Sequence, residues 1–181
     1  MGVKILDGIA SYPPAHFSPC GKYRFTLWRT QADTLFVNRK QYSQEWRPER
    51  FVNFICLNPS TATDEQDDPT LRKCQTLARS WGYDAICVTN LFAYRATDPR
   101  EMKKAIDPIG PANTSIILWR AEEAALVVCA WGSHGRHQER SRDIVSRLRL
   151  HQIKLHYLRM GDREPWHPLY LPNSSTPVSW Q

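Results

Sequence analysis

The sequence predicts an α/β fold: a largely parallel sheet assembled from βαβ units and entered through an antiparallel hairpin. Three observations carry that prediction. From residue 51 onward, apolar runs of strand length alternate with stretches of helical periodicity. The helical stretches are bounded by terminus chemistry, Asp-Pro at two starts and glycine at one stop. Before residue 51, two short segments alternate apolar and polar residues with the period of half-buried strands.

The elements follow in order. "YRFTLWR" at 23–29 and "TLFVNR" at 34–39, joined by a short polar link, read as a hairpin lying within residues 20–40. Apolar runs at 51–57, 85–92, 126–131 and 154–158 read as the strands of the parallel sheet. Asp68-Pro69 supplies a helix cap and a proline whose missing N–H costs nothing in the first turn. Leu71, Cys74, Leu77, Ala78 and Trp81 then fall on one helical face, and Gly82 ends the helix. Asp98-Pro99-Arg100-Glu101 repeats the start signal for a short helix, with Glu101 placed for a capping box. Further helices are expected over 112–124 and over 137–150, the latter turning Ile144, Val145 and Leu148 inward. The chain reads as one domain over 1–181, with the α/β core at 51–172 and a loose tail at 173–181.

Composition narrows the function classes. A chain of 181 residues, 41% hydrophobic, buries one core of ordinary size. It has no apolar run of about 18 residues, and its start lacks the apolar centre of a signal peptide, so a cytoplasmic protein with no membrane partner is expected. Cys20, Cys56, Cys74, Cys87 and Cys129 are odd in number and widely spaced, which fits reduced thiols better than a disulfide framework. His134 and His137 sit three residues apart but lack a thiol or carboxylate companion, so neither metal nor cofactor is expected. The formal net charge of +6 favours a polyanionic partner. The excess concentrates at 134–159, where Arg136, Arg140, Arg142, Arg147, Arg149, Lys154 and Arg159 face only Glu139 and Asp143. That cluster is either a solvated helix face or a surface that tracks phosphates. No protein partner is evident, and a monomer is expected.

In an open α/β sheet, ligands bind beyond the carboxyl ends of the strands. Polar residues gather at those ends here. The first core strand delivers Asn58-Pro59-Ser60 and an acidic loop at 64–68. The second carries Asn90 and runs on to Tyr94-Arg95. The third ends in Trp131-Gly132-Ser133-His134, and the fourth leads to Trp166-His167-Pro168.

That order, an Asn-Pro turn, an asparagine-bearing strand, a "VVCAWGSHG" junction and a late His-Pro loop, resembles the uracil-DNA glycosylase superfamily over residues 51–172. The chain is also similar to a small uncharacterised bacterial and phage branch with the pattern LNPSTA, DDPT, NLFAYRATDP, WG-x-HG and HPLYL. The resemblance implies a three-layer α/β/α sandwich around a central four-stranded parallel sheet, with the N-terminal hairpin as an addition. It implies a DNA glycosylase that hydrolyses the N-glycosidic bond of a flipped, modified or damaged pyrimidine and leaves an abasic site. The superfamily includes phage-defence enzymes that excise glucosylated hydroxymethylcytosine, which makes antiviral defence an expected role beside repair. Two departures stand out: Cys56-Leu57-Asn58 where the family motif opens with glycine and often presents aspartate, and Leu169-Tyr170-Leu171 where a serine usually follows His-Pro.

Such chemistry needs a positioned water, a donor to the leaving base and a pocket for an extruded nucleotide. Asn58 fits the water, which its carbonyl can accept from and its amide can orient, although the same side chain can simply cap a turn. His167 fits the donor to the anionic base, or a structural His-Pro. Asn90 can pair with the edge of a pyrimidine, or be satisfied by backbone. Asp67, or Asp64, is the candidate general base that Asn58 cannot be, and Asp68 is the helix cap. Phe92 and Tyr94, with Trp166, can stack on the base or belong to the core. Tyr170 and Leu171 resemble a wedge that fills the gap left by a flipped nucleotide. Ser60, Arg95, Ser133 and His134 complete the expected DNA contacts. Two other functions share these residues: hydrolysis of a modified nucleotide in solution, and a non-catalytic reader that flips a base without cutting it.

Overall fold

The computed structural model describes residues 15–30, 50–60 and 67–181. Along them run β1 (Ala15–Phe17), β2 (Arg24–Thr30), β3 (Phe51–Cys56), α1 (Pro69–Ser80), β4 (Ala85–Asn90), α2 (Pro99–Lys104), α3 (Asn113–Glu123), β5 (Leu126–Cys129), α4 (Arg140–Leu150), β6 (Leu155–Tyr157) and β7 (Val178–Trp180).

Every residue of β3 and β4 is buried, and a strand that is apolar on both faces needs cover on both. Val52, Phe54 and Cys56 meet Leu71, Cys74, Leu77 and Ala78 of α1 on one face. Ile55 and Leu57 meet Ile117 and Ala121 of α3 and Ile144 and Leu148 of α4 on the other, where Met102 of α2 also packs. Four of the five cysteines lie inside these layers, and burial pushes the Cys87 and Cys129 thiols up, leaving them protonated and unreactive.

The sheet differs from the one implied by the motif order. Among the described residues it is a single mixed sheet of seven strands in the order β1-β2-β4-β3-β5-β6-β7, not a four-stranded parallel sheet with a hairpin attached. β3 pairs in parallel with β4 and β5, and β5 with β6, whereas β1·β2, β2·β4 and β6·β7 are antiparallel. The physical reason lies in β2, which is buried along six of its seven residues and hydrogen-bonds to β4 from Leu27 to Thr30. Its other edge is taken by β1. The second arm of the expected hairpin, 34–39, lies outside the described residues. At the opposite edge the tail expected to be loose supplies β7, where Trp180 lies against Trp131 and Tyr157 and beneath the Arg149 guanidinium.

Local signals set the helix boundaries. Asp68 Oδ1 accepts from the Leu71 amide at 2.7 Å with Pro69 at the first helical position, and Gly82, at φ +79, ends α1. Asp98 caps α2, but Glu101 pairs with Lys104 at 2.9 Å instead of completing a capping box. α4 begins at Arg140, not at residue 137, because Gln138 and Glu139 adopt positive φ of 54 and 55 and interrupt the helix.

The topology fixes where a ligand can sit. β3 lies between β4 and β5; the connection through α1 leads to one side of it, and the connection through α2 and α3 crosses to the other. Loops leaving β3 and β5 therefore diverge onto opposite faces, opening a crevice beyond their carboxyl ends. Because β2 runs antiparallel to β4, its first residue, Arg24, is delivered to that same end.

Candidate functional site

A cavity of about 380 Å³ fills the crevice. Its walls come from the loops after β3, β4 and β5, the start of α1, the start of β2 and the turn at Pro168–Tyr170.

The wall after β3 is Asn58. Its Nδ2 donates to the carbonyls of Ala96 at 2.6 Å and Pro59 at 3.2 Å, while the Ala96 amide donates back to Pro59 O at 2.9 Å. These bonds join the β3 loop to the loop after β4. They also use both amide protons, so only Oδ1 is left to face a ligand, as an acceptor. Asn90 ends β4 at 2% exposure; its Nδ2 has no partner among the described residues, although it lines the cavity. A buried donor without an acceptor is costly unless a ligand or water completes it.

The wall after β5 is built by close approach. Gly132, at φ +74, donates its amide to Pro165 O at 2.9 Å, and a Cβ there would lie 3.6 Å from the Cβ of His167. The His167 loop is thereby held against the strand exit. The Leu169 amide reaches Nδ1 of His167 at 3.4 Å, so Nδ1 is the acceptor and Nε2 carries the proton. Burial holds this imidazole below its ordinary value, with the Asp68 charge opposing, and the ring is neutral at pH 7.

Among the described residues, the carboxylate that lines the cavity is Asp68. Its Oδ2 accepts from Ser60 Oγ at 3.0 Å while Oδ1 caps α1. Asp67 turns away: its carboxylate meets Arg29 Nε at 2.7 Å and Gln75 Nε2 at 2.6 Å, outside the cavity lining. Asp64 lies outside the described residues.

Arg24 is the wall residue that sequence reasoning missed. It is 4% exposed, and burial lowers its guanidinium to about 10, with Asp68 acting in the opposite direction. The alternation in "YRFTLWR" sends Arg24 to the polar face of a half-buried strand. Only the non-local pairing of β2 inside the sheet puts it against the crevice.

Ser60, Ser133, His134 and Tyr170 also line the cavity. His134 is exposed at the rim, where Lys103 Nζ lies 3.1 Å from its Nδ1; partial burial and the Lys103 charge hold its ring below its ordinary value. The remaining candidates lie elsewhere. Phe92 is fully buried beside His137 in the core, and Tyr94 sits edge-on to Tyr23. Arg95 stacks on Phe17 and donates to Gly21 O. Leu171 is buried under α1, whereas Leu169 and Tyr170 are exposed at the cavity mouth.

These features define an open α/β protein with a partly enclosed crevice, lined by polar and apolar groups alike, at the switch point of its sheet. Residues 24–169 match the family described as "Protein of unknown function (DUF1643)", and the chain belongs to that family. No curated protein and no solved structure matches the chain. Membership in the uracil-DNA glycosylase superfamily, implied by the motif order, is withdrawn: the family match is to DUF1643 and no uracil-DNA glycosylase family model matches. Proline after Asn58 or His167 stiffens a strand-end loop and does so in proteins of many kinds, so the order of these turns alone does not define a superfamily. Among the described residues no helix is long and apolar enough to cross a membrane.

Proposed function

We propose that this chain is a DNA glycosylase that hydrolyses the N-glycosidic bond of a modified or damaged pyrimidine drawn into the crevice, leaving an abasic site. One observation supports it above the others. Asn58, Asp68, Asn90 and a neutral His167, from four separate segments, line one cavity at the small end of the usual ligand-site range.

In this reading a water donates one hydrogen bond to Asn58 Oδ1 and gives a proton to Asp68 as its oxygen bonds to C1′ of the sugar. The C1′–N bond breaks, and its electron pair leaves with the base. His167 donates from Nε2 to the exocyclic oxygen that gathers this charge, and the buried Arg24 cation stabilises it at longer range. A preorganised donor of that kind contributes about 10²–10³ in rate. Asn90 Nδ2 supplies the donor for an acceptor on the base edge, which would complete its own missing bond. A cytoplasmic location belongs to the same proposal, supported by five cysteines that are all unpaired.

The test is release of free base, read by mass spectrometry, from DNAs carrying deaminated, oxidised and hypermodified pyrimidines, phage DNAs among them, with alkali-labile sites scored in parallel. Release that disappears in Asn58→Ala and His167→Ala supports the proposal. Hydrolysis of free modified nucleotides with DNA untouched makes the chain a nucleotide hydrolase, and tight DNA binding without release makes it a reader; either result overturns the glycosylase.

A further inference from the structure

A second cavity of about 440 Å³ adjoins the first and shares Gly132, Ser133, His167 and Tyr170 with it. Its outer wall is a short hairpin in which Met160 bridges to Pro165, Trp166 N donates to Arg159 O at 2.8 Å, and Gly161 N donates to Glu164 O at 2.9 Å. That hairpin holds the Trp166 indole rigidly. The Arg159 guanidinium lies 4.4 Å from the ring centroid, and the indole packs so closely on Gly161 that a Cβ there would come within 2.8 Å of Nε1. Trp166 nonetheless stays 37% exposed and lines the cavity.

Two arginines complete the lining. Arg136, from the turn after β5, and Arg163, from the hairpin tip, have no ion-pair or hydrogen-bond partner among the described residues. The lining also holds two carboxylates. Glu164 is buried and accepts from Trp131 Nε1 and from Ser141 Oγ at 2.8 Å, whereas Asp162 is exposed beside Arg163 at the tip. An aromatic platform backed by a cation, with two uncommitted guanidinium groups beside it, matches a base with its phosphate.

We infer that this second cavity is a subsite for the nucleotide adjoining the one in the first cavity, its base stacked on Trp166 and its phosphate held by Arg136 and Arg163, and that the substrate is therefore single-stranded DNA. A neighbouring base can lie face-on against an indole only when it is unpaired from its complement and unstacked from the target. This rests on the DNA reading of the first cavity and adds the strand state that the first cavity leaves open.

Binding, not turnover, tests it, using a fluorescent single-stranded oligonucleotide of unmodified bases and the full chain. Trp166→Ala is expected to weaken binding by about tenfold, and Trp166→Phe to restore most of it. The double variant Arg136→Gln/Arg163→Gln is expected to flatten the salt dependence by about 0.7 in the slope of log K for each phosphate it no longer neutralises. Its two sites are exposed, so it keeps the test decisive even if Trp166→Ala fails to fold. The matched duplex is expected to compete at least about tenfold less well. Unchanged affinity in both Trp166→Ala and the arginine variant, or equal competition by duplex, overturns the subsite. Release of base with those binding results removes the subsite and leaves the glycosylase; oligonucleotide binding through Trp166 without base release does the reverse.

Discussion

Nδ2 of Asn58 lies 2.6 Å from the carbonyl oxygen of Ala96, and that bond ties the loop leaving β3 to the loop leaving β4. A carboxylate at this position would set oxygen against two carbonyl oxygens. Asn58→Asp, which looks like a gain of a general base, is therefore expected to lower stability by about 1–3 kcal/mol and to reduce base release. Thermal melting and base-release assays on the same preparation check this; a variant that is both as stable and faster would contradict the assigned geometry.

The neighbouring acids Asp67 and Asp68 separate cleanly. Asp67 holds the 5%-exposed Arg29, so Asp67→Asn is expected to lose about 1–3 kcal/mol in stability while base release stays within about threefold. Asp68→Asn keeps an acceptor for the Leu71 amide, so its helix cap is retained, and its stability loss comes from taking a charge away from the buried Arg24. Its base release is expected to fall by at least about 10² as the proton acceptor is lost. The opposite ranking of the two variants would make Asp67 the general base.

The contrast between these two acids marks what the sequence could and could not reveal. Asp-Pro at 68–69 and at 98–99 announces helix starts, because capping is decided within four residues. The apolar runs announce β3 to β6, and the loops after them contain most of the cavity wall. What escapes depends on partners far along the chain. Nothing near Arg24 tells that β2 enters the sheet beside β4, so both the mixed topology and the buried cation stay hidden. The tail becomes β7 by pairing with β6 and setting Trp180 against Trp131 and Tyr157. The Asn-Pro and His-Pro turns mark crevice loops and fail as a superfamily signature.

His167 gives a pH prediction with a definite sign. Burial keeps its folded value below 6.5, so between that folded value and 6.5 the unfolded chain binds a proton that the folded chain does not. Stability therefore rises with pH through this window and is lost as pH falls below 6.5. His16 and His134 shift the same way, so the measurement is a difference: melting temperatures of wild type and His167→Asn across about pH 5–8. Asparagine can still accept from the Leu169 amide but does not titrate, and its melting curve is expected to fall less steeply on acidification. Parallel curves would show that the ring does not titrate with folding.

Leu169 and Leu171 are two residues apart and equally apolar, yet the turn at Pro168–Tyr170 sends them in different directions. Leu171 is 6% exposed and packs with Leu71 and Leu158 under α1. Leu171→Ala is therefore expected to cost about 2–4 kcal/mol of stability and to leave the activity of the folded fraction intact. Leu169 stands exposed at the cavity mouth beside Tyr170, where its side chain can pack against a nucleotide entering the first cavity. Leu169→Ala is expected to change stability by less than about 0.5 kcal/mol while slowing base release from single-stranded DNA by about threefold. Unchanged release, or a stability loss as large as that of Leu171→Ala, would contradict this placement of Leu169.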